Sequence, residues 1–364
     1  MNILILNQHI QDVVGGSEAQ CDLIAKYLTQ FGHHVVYFAI NGQQPAYHAP
    51  YLVESGPLTW GSLRRMVFTH QPDVVYWRFN KRRLLPSVLL LKLLGKKVVF
   101  AISHINDVKK WSHKVRYNPS TTWTRLRSWS RAVRPALSGR INHLGLAFVD
   151  GIVAQLHTQR DQLSVRHSCV IPNSVEISNI QAFQWPKPFI AWIASIKPAK
   201  NPELFLELAR KLETFSIDCL MIGSIQTGNY HSLLHSDDVP SNFHYLGAKS
   251  PAEVHGILQA SLFLVHTCEP EGFPNIFIQA WMHAKPTVSL LYDPDNMIRE
   301  QKLGYCSGNV EQFVQDVKIL LDDEEMRKAL GQRAQEFAWT HFLPEPNIRA
   351  LEQFLQTLCT KGDR

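Results

Sequence analysis

Glu271, Gly272, Phe273, Pro274 and Asn275 stand in a row, just ahead of Ile276, Phe277, Ala280 and Trp281, which are spaced as one apolar helix face. Asn is a strong N-cap, so the pattern predicts a helix capped by Asn275. A helix start behind a small-residue turn presents free backbone N–H groups and a partial positive charge, which suits a phosphate. Glu271 then sits at the edge of that cradle, and the Gln279 amide lies eight positions later on the helix. The plainer alternative is a loop followed by a core helix. Phe277, Trp281 and Met282 belong to a core under either reading.

Two further turns carry similar chemistry. In "VVGGSEAQ" (13–20), Gly15 and Gly16 join a strand-like segment to a helix-like one, and Ser17 with Gln20 forms a possible capping box. Paired glycines let a backbone approach an anionic ligand at a helix N-terminus, or serve only a tight turn. The pattern is not GxGxxG, so a dinucleotide site is poorly supported. In "IASIKPAKNPELF" (193–205), Lys197 and Lys200 precede a helix beginning near Pro202. A lysine there can neutralise a diphosphate that gains charge as its bond to a sugar breaks, or it is an ordinary solvated lysine. "DPD" (293–295) has the form of a metal-binding Asp-x-Asp, but a polar turn is the better reading.

These turns need a scaffold. Short apolar strands alternate with helices: "NILILN", the helix 17–31, "HVVYFAI", "DVVYWRF", "KKVVFAIS", "DGIVAQL" and "CVIPNSV". After a polar, Pro-marked join near 177–188 the alternation restarts with "FIAWIASI", "DCLMIGS", "FHYLGA", "LFLVHTC" and "PTVSLLY". Such alternation means parallel sheets, and two series mean two doubly wound domains with a cleft between them. The expected division is 1–176, 177–345, and a last helix, 346–364, packing back on the first domain. The chain of 364 residues is long enough for both. The apolar run 84–95 is too short and interrupted to span a bilayer, and the N-terminus reads as a strand rather than a signal peptide. Six scattered cysteines without a CxxC pair argue against a disulfide framework or structural zinc and favour a reducing cytoplasm.

"EGFPNIFIQAWMHAKPTVS", "GGSEAQ", "IPNSVE" and "KPAKNP", in this order and spacing, resemble the retaining GT-B-fold glycosyltransferases, in particular glycosyltransferase family 4. The resemblance covers about 1–345 and the last helix. It implies an α/β GT-B fold, with two Rossmann-like parallel-sheet domains facing a central cleft. It implies a C-terminal domain binding a nucleoside-diphosphate sugar and an N-terminal domain binding a glycan or lipid-linked acceptor. Transfer would retain the anomeric configuration without a metal or other cofactor. Catalytic roles fall on Glu271, Lys200 and His104. Donor contacts fall on Gly15, Gly16, Lys197, Lys200, Gly223, Glu271, Gly272, Phe273, Pro274, Asn275 and Gln279. Two positions depart from the family. Gln279 replaces the second Glu of the motif, which holds the ribose, and Ser195 stands where an Arg is usual, leaving Lys197 as a substitute cation.

Charge adds a partner. Residues 1–180 hold 21 Lys+Arg against 9 Asp+Glu, a net of +12, and the remainder holds 16 against 22, a net of −6. Residues 108–145 carry nine Lys/Arg and no Asp/Glu beside Trp111, Trp123 and Trp129. That composition suits an anionic membrane surface at the inner face of the cell membrane; a solvated helix is the alternative, and no motif supports nucleic acid. Two other functions use the same scaffold: a sugar-nucleotide epimerase and a non-catalytic sugar-nucleotide or glycan binder.

Overall fold

The computed structural model describes residues 1–108, 143–163, 165, 167–177, 179–226, 230–234 and 238–360. The basic stretch 108–145 lies outside these residues apart from its ends. The chain divides into two compact units, one of Met1–Asn173 with the chain from Pro344, the other of Ser174–Leu343.

In the first unit seven strands form one parallel sheet: β1 (Asn2–Asn7), β2 (His34–Ile40), β3 (Leu52–Gly56), β4 (Val74–Trp77), β5 (Lys97–Ala101), β6 (Gly151–Ala154) and β7 (Ser168–Val170). Their order is β3-β2-β1-β4-β5-β6-β7. Side chains alternate along β1, so the sheet has two buried faces. Ile3 and Ile5 pack with helix α1 (Gly16–Gln30) and the helix Pro344–Thr360, whose Ile348, Leu351, Leu355 and Leu358 are buried there. Leu4 and Leu6 pack on the other face with α2 (Trp60–His70) and α3 (Leu84–Leu93), through Leu63, Met66, Val88 and Leu91. Gly151 allows the helix Pro344–Thr360 to lie close, because a Cβ there would stand 2.7 Å from Leu358 Cδ1.

The second unit repeats the plan with β8 (Phe189–Ile193), β9 (Asp218–Ile222), β10 (Phe243–Tyr245), β11 (Leu264–His266), β12 (Thr287–Ser289) and β13 (Gly304–Cys306), ordered β10-β9-β8-β11-β12-β13. Ile190 and Trp192 pack against Phe205 and Leu208 of the helix Pro202–Lys211, while Phe189 and Ala191 face Ile257 of the helix Pro251–Ala260. In both units the strand order reverses once, between β1 and β4 and between β8 and β11. An open parallel sheet binds ligands outside the carboxyl ends of its strands at such a reversal.

Two local expectations change, and the polar-turn reading of "DPD" holds. The helix Asn275–Met282 takes Pro274 as its cap residue, with no side-chain capping bond, so Asn275 is its first turn and not its cap. Helix α1 is capped by Gly15, also without a side-chain bond; the Ser17 hydroxyl instead accepts from Asn7 Nδ2 at 3.1 Å. Asp293 of "DPD" is a polar stop: its carboxylate accepts from Ile298 N at 2.8 Å and from Arg299 Nε at 3.0 Å.

Candidate functional site

Lys200 and Glu271 meet at the strand-order reversal of the second unit. β8 runs into a 3₁₀ turn, Pro198–Lys200, and then the helix Pro202–Lys211. β11 runs into the loop that carries Glu271 and then the helix Asn275–Met282. β8 and β11 are paired neighbours, so both loops leave the same sheet edge, and Glu269 N donates to Ala199 O at 3.0 Å to tie them together. Lys200 Nζ donates to Glu271 Oε1 and Oε2, each at 2.6 Å. The two side chains are 13% and 25% exposed, so the pair is shielded but open to solvent on the Glu271 side.

Thr267 is the joint that sequence reading missed. It is fully buried, and its hydroxyl accepts from Trp192 Nε1 at 2.8 Å and contacts the carbonyl oxygens of Lys200 at 2.8 Å and Asn201 at 3.0 Å. Asn201 adopts the left-handed conformation at φ 46° and returns a bond from Nδ2 to Thr267 O at 3.1 Å. Asn is among the few side chains that tolerate this region. Tyr292 holds the Glu271 loop from the other side, its hydroxyl donating to the Glu271 and Gly272 carbonyls. A threonine and a tyrosine outside any motif give no signal in one sequence.

His266 was missed as well. It is buried, and its Nε2 lies 3.8 Å from Glu271 Oε1, close enough for charge attraction and too long for a hydrogen bond. Burial alone would lower the His266 pKa, but the Cys268 sulfur and the Glu271 carboxylate outweigh it and raise the value to about 9. Burial would likewise raise Glu271, but His266 and Lys200 overcome it and pull its carboxyl down to about 2. His266 and Lys200 thus both favour the ionised form of the Glu271 carboxylate.

The remaining expected residues fall into three groups. Gly272, Pro274 and Phe273 are buried, and the Phe273 ring packs on Phe342 and Trp281, so its side chain serves the core. Gln279 is half-buried on the helix that Asn275 begins. Gly223 ends β9 at φ 150°, and a Cβ there would stand 1.8 Å from Ala194 O, so close backbone packing alone requires glycine. Lys197 and Ser195 are half-buried on the β8 loop, and the Lys197 side chain makes no ion pair among the described residues. Gly15, Gly16 and His104 belong to the first unit. His104 is exposed after β5, where its backbone N–H donates to Asp107 Oδ2 at 3.0 Å and its Nδ1 accepts from Asn106 N at 3.1 Å.

Residues 174–337 match the family model Glycosyl transferases group 1. The matched residues fall within the second unit. No curated protein matches the chain. Solved structures share its fold across nearly the whole length. Sucrose-phosphate synthase from Thermosynechococcus elongatus aligns with a TM-score of 0.76 at 12% identity, covering 100% of both chains. Anabaena HepE, solved with UDP and glucose, aligns with a TM-score of 0.71 at 14% identity, covering 98% of this chain and 100% of its own. A putative UDP-N-acetylglucosamine 2-epimerase from Listeria monocytogenes aligns with a TM-score of 0.65 at 10% identity, covering 100% and 98%. The architecture is that of the GT-B glycosyltransferases, and at these identities the likeness concerns fold. No helix among the described residues is long and apolar enough to cross a membrane.

Proposed function

We propose that the protein is a retaining glycosyltransferase that moves a sugar from a nucleoside-diphosphate sugar to a glycan or lipid-linked acceptor, in cell-envelope or exopolysaccharide synthesis. The observation that carries the reading is the 2.6 Å contact of Lys200 with both Glu271 oxygens at the strand-order reversal of a glycosyl transferases group 1 domain. Departure of the nucleoside diphosphate puts negative charge on the leaving oxygen. Lys200 and the N-terminus of the helix Asn275–Met282 supply positive charge for it. Glu271 accepts from the sugar hydroxyls and positions the ring. The acceptor hydroxyl attacks the anomeric carbon from the face the diphosphate leaves, and the leaving oxygen takes the hydroxyl proton. Gln279 meets the ribose, Lys197 stands in for the family arginine, and His104 lies on the acceptor side. None of these steps calls for a metal.

An anionic membrane as the place of work draws support from the first unit. Only one acid, Asp73, lies among nine Lys/Arg in residues 57–97. In the same stretch α2 and α3 leave Trp60, Phe68, Leu89 and Leu93 exposed.

The test is sugar transfer measured with candidate nucleoside-diphosphate sugars. Lys200→Ala and Glu271→Ala are expected to lose on the order of 10²–10³-fold in turnover while the fold survives. Near-normal turnover in either variant defeats the assignment. Donor turnover without an acceptor would instead identify an epimerase, whose scaffold is the same. Activity is expected to persist in excess EDTA.

A further inference from the structure

We propose that His266, Cys268 and Glu271 form a binding site for a borderline-soft divalent cation, Zn²⁺ above all, and that the bound cation inhibits the protein. The inhibition rests on the function proposed above, because the cation takes the carboxylate assigned to the donor sugar. The binding site itself does not.

One ligand atom from each residue lies within 4.8 Å of the other two. A tetrahedral zinc ion needs ligand atoms about 3.5 Å apart, from bonds of about 2.0–2.3 Å. The gap closes by a torsional shift of Glu271, the least buried of the three. His266 ends β11 and Cys268 follows two residues later, so extended backbone places both side chains on one side. Thr267 between them turns the other way, to Trp192.

The imidazole is already oriented for a metal. His266 Nδ1 lies 3.3 Å from Ser289 Oγ. That hydroxyl donates its own hydrogen to Tyr292 O at 2.6 Å, so toward His266 it can only accept. Nδ1 is therefore the N–H donor, and Nε2 is the nitrogen left for a ligand. Nε2 is buried and has no hydrogen-bond partner among the described residues. A ring nitrogen fixed by a bond from the opposite nitrogen is the usual arrangement behind a metal-ligating histidine. A buried polar atom without a partner is costly, and a cation there would satisfy it.

The donor set selects the ion. Thiolate and imidazole favour zinc and its neighbours over Mg²⁺ or Ca²⁺. Binding displaces the Nε2 proton and the Cys268 thiol proton to solvent. It also requires Lys200 to release Glu271, since both carboxylate oxygens are engaged at 2.6 Å. The Lys200–Glu271 pair and the metal site are thus alternative states of one carboxylate. Three protein ligands leave a fourth position for water.

The experiment titrates the chelator-treated full chain with Co²⁺ as an optical probe. The expected result is a thiolate-to-cobalt charge-transfer band with the visible bands of tetrahedral cobalt, abolished by equimolar Zn²⁺ and absent in Cys268→Ser. No band, or an equal band in Cys268→Ser, overturns the site. In transfer assays, with each protein measured against its own metal-free rate, Cys268→Ser is expected to need at least tenfold more Zn²⁺ for half-inhibition; an unchanged Zn²⁺ response overturns the inhibitory role. If Cys268→Ser does not fold, X-ray absorption of the one-to-one Zn²⁺ complex of the unaltered chain decides. One sulfur at about 2.3 Å supports the site, and a shell of oxygen and nitrogen alone overturns it. A protein with the cobalt band but no transfer under any condition would keep the site and lose the proposed function.

Discussion

At the scale of single residues, Lys200 and Glu271 were each legible as candidates, whereas their contact and its supports were not. Lys200 and Glu271 stand in turns whose composition signals them, a Pro- and Lys-bearing strand-to-helix turn and a Gly-Pro-Asn helix start. Thr267 and Tyr292 act through tertiary contacts across 20 to 75 residues of chain, and His266 lies five residues before Glu271 outside any motif, so nothing local marks them. Thr267→Val tests the joint, since it keeps shape and removes only the hydroxyl. The buried Trp192 N–H would lose its partner, at a cost of about 1–3 kcal/mol. Denaturant unfolding should show that loss, and turnover should fall because the Lys200 turn is no longer pinned. Unchanged stability would mean that Trp192 finds another acceptor and that the hydroxyl is not the joint. Gly223→Ala should be destabilising even without donor, because the clash is with Ala194 backbone and no flexible side chain can yield. A melting temperature within a degree of the parent would show that β9 and the β8 loop can separate cheaply.

At the scale of elements, the long strands declared themselves and the short edges did not. β1 and β2 are runs of buried apolar residues and were read correctly. β3 was missed because it is an edge strand, "LVESG", with no residue fully buried, and β13 because it has three half-buried residues. Both helix caps were misread for one reason: Ser17 and Asn275 have the right chemistry, but Gly15 and Pro274 occupy the cap positions. One element contact makes a pH prediction. His255, on the helix Pro251–Ala260, and His283, at the end of the helix Asn275–Met282, share a hydrogen bond, Nδ1 to Nε2, of 2.9 Å. One ring must donate and the other accept, so protonating either acceptor breaks it. Burial lowers both pKa values, and His255 and Lys285 add to the shift of His283, which falls to about 4. A histidine whose folded pKa is lowered contributes stability above its unfolded value of 6.5 and loses it as pH falls toward the folded value. Thermal unfolding should therefore weaken between pH 6.5 and about 4, and His283→Gln should flatten that slope. Equal slopes would assign the acid sensitivity to carboxylates instead.

At the scale of the whole molecule, the two halves divide the charge, and the positive half has one greasy side. The helices covering the two faces of its sheet differ. α1 and the helix Pro344–Thr360 expose no large hydrophobic residue, whereas α2 and α3 expose Trp60, Phe68, Leu89 and Leu93, with Leu93 at 86%. Trp60, Arg64 and Phe68 recur at four-residue intervals on α2, one stripe of the helix, and the Arg64 guanidinium lies 5.3 Å from the Phe68 ring centre. Exposed aromatic and leucine side chains among cations suit the interface of an anionic bilayer. The basic stretch 108–145 pointed to the same partner from composition alone, while this face was invisible until the sheet assigned sides to α2 and α3. The protein is expected to float with vesicles of anionic lipid at low salt, and less so at high salt as screening grows. Trp60→Ser with Leu93→Ser should reduce flotation several-fold without lowering stability, since both side chains are exposed. A second variant, with Arg125, Arg127, Arg131 and Arg134 replaced by Ser, measures the stretch separately. If only that second variant loses binding, the stretch is the anchor and the face is bystander surface. If neither loses it, or the parent never floats, the membrane is not the partner of the positive half.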